Sequence, residues 1–304
     1  MEGSPIWSLG PLTFDPEQPD RHGVHWILTT EEGFWASPAT NAELNPQLAT
    51  HGAFRTPGWK TERTITLEGQ AFAPDFATLR RASAALTGLL SDPSTPMALT
   101  CHSEIGALTS EVYLDDQILT KPTETAAPGF EWSLQLVAPD PRKYSLAWYR
   151  AETRLPSQGT GGLRFGSGLH FGRARGLSFG EDHSSGAMVL TNDGTAPTAP
   201  LYTLHGPLHR PWLTVTTGNR TAALAYDATL HEGQALVIDP SVPTALLDGE
   251  IPARQRLFPA QFADFVIPAA SFDGEPGQRC VRLSHDGPAR AEGRVEATWR
   301  HAWF

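Results

Sequence analysis

Histidines and carboxylates at short spacing mark where this chain could hold a metal or move a proton. His22 and His25 stand three residues apart, but no cysteine or carboxylate follows at ligand spacing, so they read as surface or strand histidines. His205 and His209 flank Gly206-Pro207, which forbids the helix that would bring both rings to one face. Glu181-Asp182-His183 has the residue types of an acid–base cluster, yet lies in a Gly/Ser-rich stretch that reads as a solvated loop. Gly166-Ser167-Gly168 lacks the frame of a nucleophile elbow. The glycines between 159 and 180 miss the dinucleotide fingerprint, with Phe171 at its third position. Asn219-Arg220-Thr221 is a glycosylation sequon by pattern alone. No constellation converges, so we expect neither an enzyme nor a metal or cofactor site.

Composition narrows the class. The chain has 304 residues, enough for two cores, with 28 Gly and 26 Pro, which favour short strands and turns over long helices. Residues 1–13 show neither a basic nor an apolar signal region, and no apolar run approaches bilayer length, so neither secretion nor membrane insertion is expected. A formal charge of −10 argues against non-specific nucleic-acid binding. Cys101 and Cys280 are far apart in sequence and are expected to be free, buried thiols.

The stretch Trp132–Ser145 organises the remainder. Trp132, Leu134 and Leu136 alternate with Ser133 and Gln135, the period of a half-buried strand. Pro139 and Pro141 then stop it, with Asp140 placed to bond the backbone just downstream and Tyr144 at the exit. We read Pro139, Asp140, Pro141 and Tyr144 as an interdomain corner. Before it, strands are expected over Val24–Thr30, Arg63–Phe72 (Ile65 and Leu67 inward), Met97–Cys101 and Glu111–Leu114, with an exposed loop over Ala36–Gln47. One helix is expected, capped by Asp75, with Phe76, Leu79, Ser83, Leu86 and Leu90 on its packed face, ending at Asp92-Pro93. After the corner, three L-x-F-G pieces (Leu163–Gly166, Leu169–Gly172, Leu177–Gly180) suit a connecting arm. Short strands then recur between Asn192-Asp193-Gly194, Thr217-Gly218-Asn219, Glu232-Gly233, Asp248-Gly249 and Asp286-Gly287, the spacing of an antiparallel sandwich. The last strand is expected over Gly293–Phe304.

Four segments, in order, resemble the distal tail proteins of long-tailed, non-contractile bacteriophages. They are R-T-I-T-L-E-G before the helix, L-V-A-P-D-P-R-K-Y-S at the corner, the Thr191–Pro200 run with Gly206-Pro207, and L-H-E-G-Q-A-L-V-I-D-P with the closing A-T-W-R-H-A-W-F. The chain has no room for the carbohydrate-binding insertion some relatives carry. The resemblance implies a mainly β protein in three parts. Residues 1–146 would form a tail-tube-like β-barrel or sheet with one packed helix, 147–186 a connecting arm, and 187–304 a galectin-like antiparallel β-sandwich. It also implies a structural virion protein of the tail tip, assembled in the host cytoplasm. It would be a homo-hexameric ring joining the tail tube protein to the tail-tip hub or tail-associated protein and to receptor-binding or baseplate proteins, with DNA passing through unbound.

Two other readings stay open. One is a sugar-binding adhesin module with Trp and Tyr exposed on the sandwich; the other is a glycan-cleaving enzyme, which needs two carboxylates across a groove. Charge adds a detail to the first reading. Residues 1–146 hold 18 acidic and 9 basic side chains, and residues 147–304 hold 15 and 14. The acidity therefore sits in the half that the resemblance places around the channel, where an acidic wall repels DNA and basic side chains would hold it. Glu111, Asp115, Asp116 and Glu124 are the candidate lining residues.

Overall fold

Trp132, Leu134 and Leu136 do point one way: in a computed structural model of the chain they are 2%, 1% and 0% exposed, on the strand Gly129–Ala138. The structure describes residues 5–48, 50–104, 106–123, 127–157, 184–288 and 292–304. The L-x-F-G pieces, the glycine run, Gly166-Ser167-Gly168, Glu181-Asp182-His183 and Glu124 lie outside the described residues. The chain divides into two compact units, 1–146 with 302–304, and 147–301.

In the first unit, antiparallel strands lie in the order Leu12–Phe14, Ile6–Leu9, Met97–Ser103, Gly106–Leu114, Gly129–Ala138, Arg63–Phe72, His25–Glu32. This sheet path is open among the described residues. Gly129–Ala138 and Arg63–Phe72 pair along their full length, with Leu134 opposite Leu67 and Leu136 opposite Ile65, so both alternating patterns feed one core. Trp132 lies opposite Gly69, where a Cβ would come within 2.4 Å of the indole and 2.1 Å of the Ile27 carbonyl oxygen. Only glycine lets the ring lie flat there, and Phe14 stacks on it at 4.9 Å.

The helix is Phe76–Thr87, with the Asp75 carboxylate accepting from the Thr78 amide at 2.8 Å as an N-cap should. Its packed face is the expected one except at its start: Leu79 and Ser83 are half-buried and Leu86 and Leu90 buried. Ala82 and Leu86 are buried, whereas Phe76 is 65% exposed. It also ends at Gly88, before Asp92-Pro93, and Leu90 reaches the core from beyond the helix with a left-handed φ of 57°.

The corner is a bulge along one strand path. Thr109 pairs with Tyr144 and Tyr113 with Val137, so four steps along Gly106–Leu114 face seven along the other chain. Three residues' worth of backbone is looped out around Pro139-Asp140-Pro141, which have only one donor-bearing amide among them. Beyond it, Lys143–Ser145 pairs with Ala302–Trp303 as well. The segment expected as the last sandwich strand is thus divided: Arg294–Trp299 belongs to the second unit, and Ala302–Phe304 returns to the first.

The expected exposed loop is partly ordered. Thr40–Asn41 pairs with Trp59–Lys60, and Leu44–Pro46 with Ala53–Arg55, making a two-tier hairpin ribbon. Its root is held by two buried cations, Arg63 and Lys143, each 2% exposed. Arg63 Nη1 donates to the carbonyls of Gly33 (2.5 Å), Phe34 (3.0 Å) and Ala36 (2.5 Å), and its Nε to that of Pro141 at 3.0 Å. Lys143 Nζ donates to the Phe34 carbonyl at 2.8 Å and lies over the Phe34 and Trp35 rings. Gly33, at φ 102°, passes so close to Thr64 that a Cβ would sit 2.1 Å from its carbonyl oxygen. Backbone carbonyls and ring faces thus replace most of the water that both cations lost, while Arg63 Nη2 is buried without a hydrogen-bond partner among the described residues.

In the second unit, a six-stranded antiparallel sheet runs Tyr149–Arg154, Arg294–Trp299, Leu201–His205, Ala235–Asp239, Thr244–Leu247, Ile251–Pro252. A five-stranded one runs Ala187–Asn192, Gly277–Ser284, Trp212–Thr217, Arg220–Tyr226, Leu257–Ala260. Their inward residues, among them Leu190, Tyr202, Leu213, Leu236, Val281 and Val295, form one core, giving a two-sheet sandwich. The segment expected as an arm opens as an edge strand of this sandwich, Tyr149–Arg154. Asn192, fully buried, ties the Thr191–Pro200 run together through the carbonyls of Ala196 (2.8 Å) and Pro268 (3.0 Å) and the amide of Gly194 (3.1 Å).

Burial pushes the Lys143 ammonium down to about 8, with Arg63 adding to the effect and Glu31 opposing it. Between that value and the unfolded value of about 10.4, the unfolded chain holds a proton that the folded one has released, so stability rises with pH across the window. Wild-type unfolding free energy should therefore climb relative to that of Lys143→Met by about 1–3 kcal/mol between roughly pH 7.5 and 10.5. Denaturant titrations across this range check it, and a constant difference would show that Lys143 titrates normally.

Candidate functional site

The corner is the best-connected polar cluster that the sequence pointed to. Asp140 Oδ1 accepts from the Arg142 amide at 3.1 Å, the downstream bond expected of it, and from Arg142 Nε at 2.8 Å. Oδ2 accepts from Arg142 Nη2 at 3.0 Å and from the Tyr144 hydroxyl at 2.6 Å. The Arg142 guanidinium lies over the Tyr144 ring, and the Ser110 hydroxyl donates to the Arg142 carbonyl at 3.2 Å. Burial by itself would raise the Asp140 carboxyl; the Arg142 and Tyr144 hydrogen bonds outweigh it and hold the group below its ordinary value. The four expected corner residues therefore form one turn, with Arg142 as the member that sequence reasoning left without a role. Its signal was present: an arginine two residues after a turn aspartate can close a forked ion pair on it.

Both Asp140 oxygens are committed to Arg142 and Tyr144. Of the candidate lining residues, Glu111, Asp115 and Asp116 are all exposed. Glu111 stands opposite Ala98 on the strand Gly106–Leu114, facing away from buried Val112, and Asp115 and Asp116 lie in the loop after that strand. None of the three is bonded to another among the described residues.

The histidines scatter. His22 Nε2 accepts from Arg21 Nε, and His25 opens the strand His25–Glu32. His205 sits on the strand Leu201–His205, with Nε2 3.9 Å from Glu296, and His209 Nδ1 meets the Thr229 hydroxyl. Among the described residues no three His, Cys, Asp or Glu side chains gather where a metal ion could be held. Asn219 completes the two-residue hairpin turn after Trp212–Thr217. Both cysteines are free; Cys101 is buried, its thiol pushed up to about 12 by burial and then by Glu31, whereas Cys280 is exposed. The inward neighbour Val281 fixes that parity, which sequence reasoning by residue type overlooked.

Surface apolar residues gather on the ribbon, where Leu44, Leu48, Phe54 and Trp59 are 67%, 96%, 67% and 75% exposed. At another place on the first unit, a groove of about 790 Å³ opens between the Pro11–Trp26 segment and the helix. Leu12, Val24, Trp26, Ala82 and Leu86 supply its apolar lining. Asp20 shapes one wall by accepting from the His22 and Val24 amides and Trp26 Nε1. Burial acts on that carboxyl in the raising direction, and these bonds bring it below its ordinary value.

A sheet-and-helix unit followed by a two-sheet sandwich has a counterpart among solved structures. The SPP1 Dit protein, whose crystal structure is described as a paradigm of the hub adsorption apparatus in phages infecting Gram-positive hosts, superposes with a TM-score of 0.65. The match covers 99% of this chain and 100% of that one at 9% identity. Chains of the phage P2 baseplate in its activated conformation, with calcium and with strontium, align at TM-scores of 0.44 and 0.43 and 12% identity, over 97% of this chain and 98% of theirs. No protein-family model matches the sequence. No curated protein matches it either.

A carboxyl held low contributes stability above its unfolded value of about 3.9 and loses it as the pH falls through the folded value. Asp140 is 42% exposed, so solvent screens its ion pair and the turn bonds carry most of the effect. Asp140→Ala should cost about 0.5–2 kcal/mol at pH 7. The difference from wild type should shrink as pH is taken below about 4 towards the folded value, beneath which the carboxylate is lost in both states. Chemical denaturation at pH 7 and pH 3 measures this, and an equal difference at both would remove the charge from the account.

Proposed function

We propose that the protein is a structural component of a phage tail tip: a distal tail hub whose first unit assembles into a ring around the DNA path. The observation that carries this reading is the end-to-end correspondence with the SPP1 Dit fold, through both units and nearly all of both chains. The four ordered sequence segments, from R-T-I-T-L-E-G to A-T-W-R-H-A-W-F, support it independently. In this reading the ring is a homo-hexamer that joins the tail tube protein to tail-tip and baseplate or receptor-binding components. It is built in the host cytoplasm and carried in the virion. It acts by mechanical connection rather than catalysis.

Two physical features favour a channel in this role. The first unit's sheet path has open edges, which a neighbouring copy can cover, and a head-to-tail contact repeated by rotation closes into a ring. The acidic excess lies in the same part of the chain, with Glu111, Asp115 and Asp116 turned to solvent, where a DNA duplex would meet repulsion rather than counterion-releasing contacts.

The purified protein, alone or mixed with its tail tube protein, should sediment as a closed oligomer. Six copies of a 33.0 kDa chain make about 200 kDa. Multi-angle light scattering or mass photometry gives the number of copies. A monomer that persists at high concentration with the tube protein present would overturn the reading.

A further inference from the structure

The hairpin ribbon and the helix groove sit at opposite ends of one strand pair. His25–Glu32 begins at the groove, where His25 faces Phe72, and ends at the ribbon, where Glu32 faces Thr66. Eight residues of strand separate the two by roughly 24 Å at the usual rise. The ribbon leaves from this far end. It is stiffened by Lys60 Nζ on the Ser37 hydroxyl (3.0 Å) and the Pro38 carbonyl (2.9 Å), and its tip is closed by the Gln47 amide on the Gly52 carbonyl (3.0 Å).

The two surfaces match in chemistry. From Leu44 to Phe54 the ribbon carries no charged residue apart from the option of His51, and Leu48 is almost wholly exposed. In the groove, the acids on the wall are turned to their own backbone: Asp15 accepts from the Glu17 and Gln18 amides, and Asp20 from those of His22 and Val24. The groove's apolar part is its floor, at Val24, Trp26, Ala82 and Leu86, with Ala85 on the helix surface, and Arg21, His22 and Arg81 form its polar rim, in a volume large enough for several side chains.

We propose that the ribbon tip of one copy, led by Leu48 and Phe54, seats in the Trp26–Ala85 groove of the next. The proposal rests on the ring reading and names its contact. A knob at one end of a strand pair and a hole at the other make a heterologous contact, the kind that propagates head to tail and closes when the rotation allows. It buries apolar surface that this chain leaves in water, the driving force expected of such contacts.

Leu48→Cys combined with Ala85→Cys, in a Cys280→Ser background, tests it, since Cys101 is buried and Cys280 is exposed. Oxidation should give a ladder of disulfide-linked multimers on a non-reducing gel, up to the copy number measured by mass, and neither single variant should extend past a dimer. Full-sized rings without a ladder would overturn this contact and leave the ring reading standing; monomers without a ladder would overturn both. In parallel, Leu48→Asp with Phe54→Asp should raise the concentration for half-assembly by at least roughly tenfold. Melting of the unassembled protein should stay unchanged, because both side chains are exposed. Assembly at the wild-type concentration would overturn the proposal.

Discussion

Two buried cations, with no carboxylate in direct contact among the described residues, fix the ribbon's root and the corner of the first unit. Arg63 and Lys143 lie on different strands, and both reach the carbonyls of the short segment Gly33–Ala36. Taking an ammonium and a guanidinium out of water costs several kcal/mol each unless the lost contacts are replaced. Here they are replaced mainly by backbone oxygens, with Glu31 contributing at longer range and its carboxylate engaged by the Phe34 amide at 2.5 Å. Hydrophobic residues of equal volume would pack more cheaply but could not specify where the chain between 33 and 36 must run. The ribbon's direction, the corner's Pro141 carbonyl and the start of the strand Arg63–Phe72 all depend on this one arrangement.

This cluster also makes the corner intelligible. Pro139 and Pro141 cannot donate, so a bulge there leaves carbonyls in need of partners rather than amides. Arg63 takes the Pro141 carbonyl from below, while the Asp140 carboxylate gathers the Arg142 and Tyr144 side chains above it. The residues that loop out of the strand path are held from both sides, and the strand resumes in register at Tyr144.

Much of this was legible from the chain alone, and the exceptions have physical causes. Alternation located Trp132, Leu134, Leu136, Ile65 and Leu67 because a half-buried strand repeats every two residues. Asp75 announced the helix because a cap is a local signal. The helix face was read correctly at Leu79, Ser83, Leu86 and Leu90; Phe76 alone was misplaced, because it was assigned by its apolar type and stands exposed in the first turn. Arg63 shares the parity of Ile65 and Leu67 and was inward by the same rule; its charge concealed it. The ribbon pairings at 40–60 carry little alternation and bury almost nothing, so no hydrophobic pattern could disclose them. The Asp140 turn was readable in part, since its backbone bond is local, but the Tyr144 bond depends on the size of the bulge, which only pairing with Gly106–Leu114 sets.

The return of Ala302–Trp303 to the strand Lys143–Ser145 bears on the order in which a ribosome delivers the chain. The first unit is interrupted by some 155 residues of the second, 147–301, before its last strand is supplied. Throughout that part of translation, the outer edge of Lys143–Ser145 offers unpaired backbone groups to whatever strand is near. A nascent chain of this design therefore completes its second unit before its first, and the edge of Lys143–Ser145 is covered only when Ala302–Trp303 has been made.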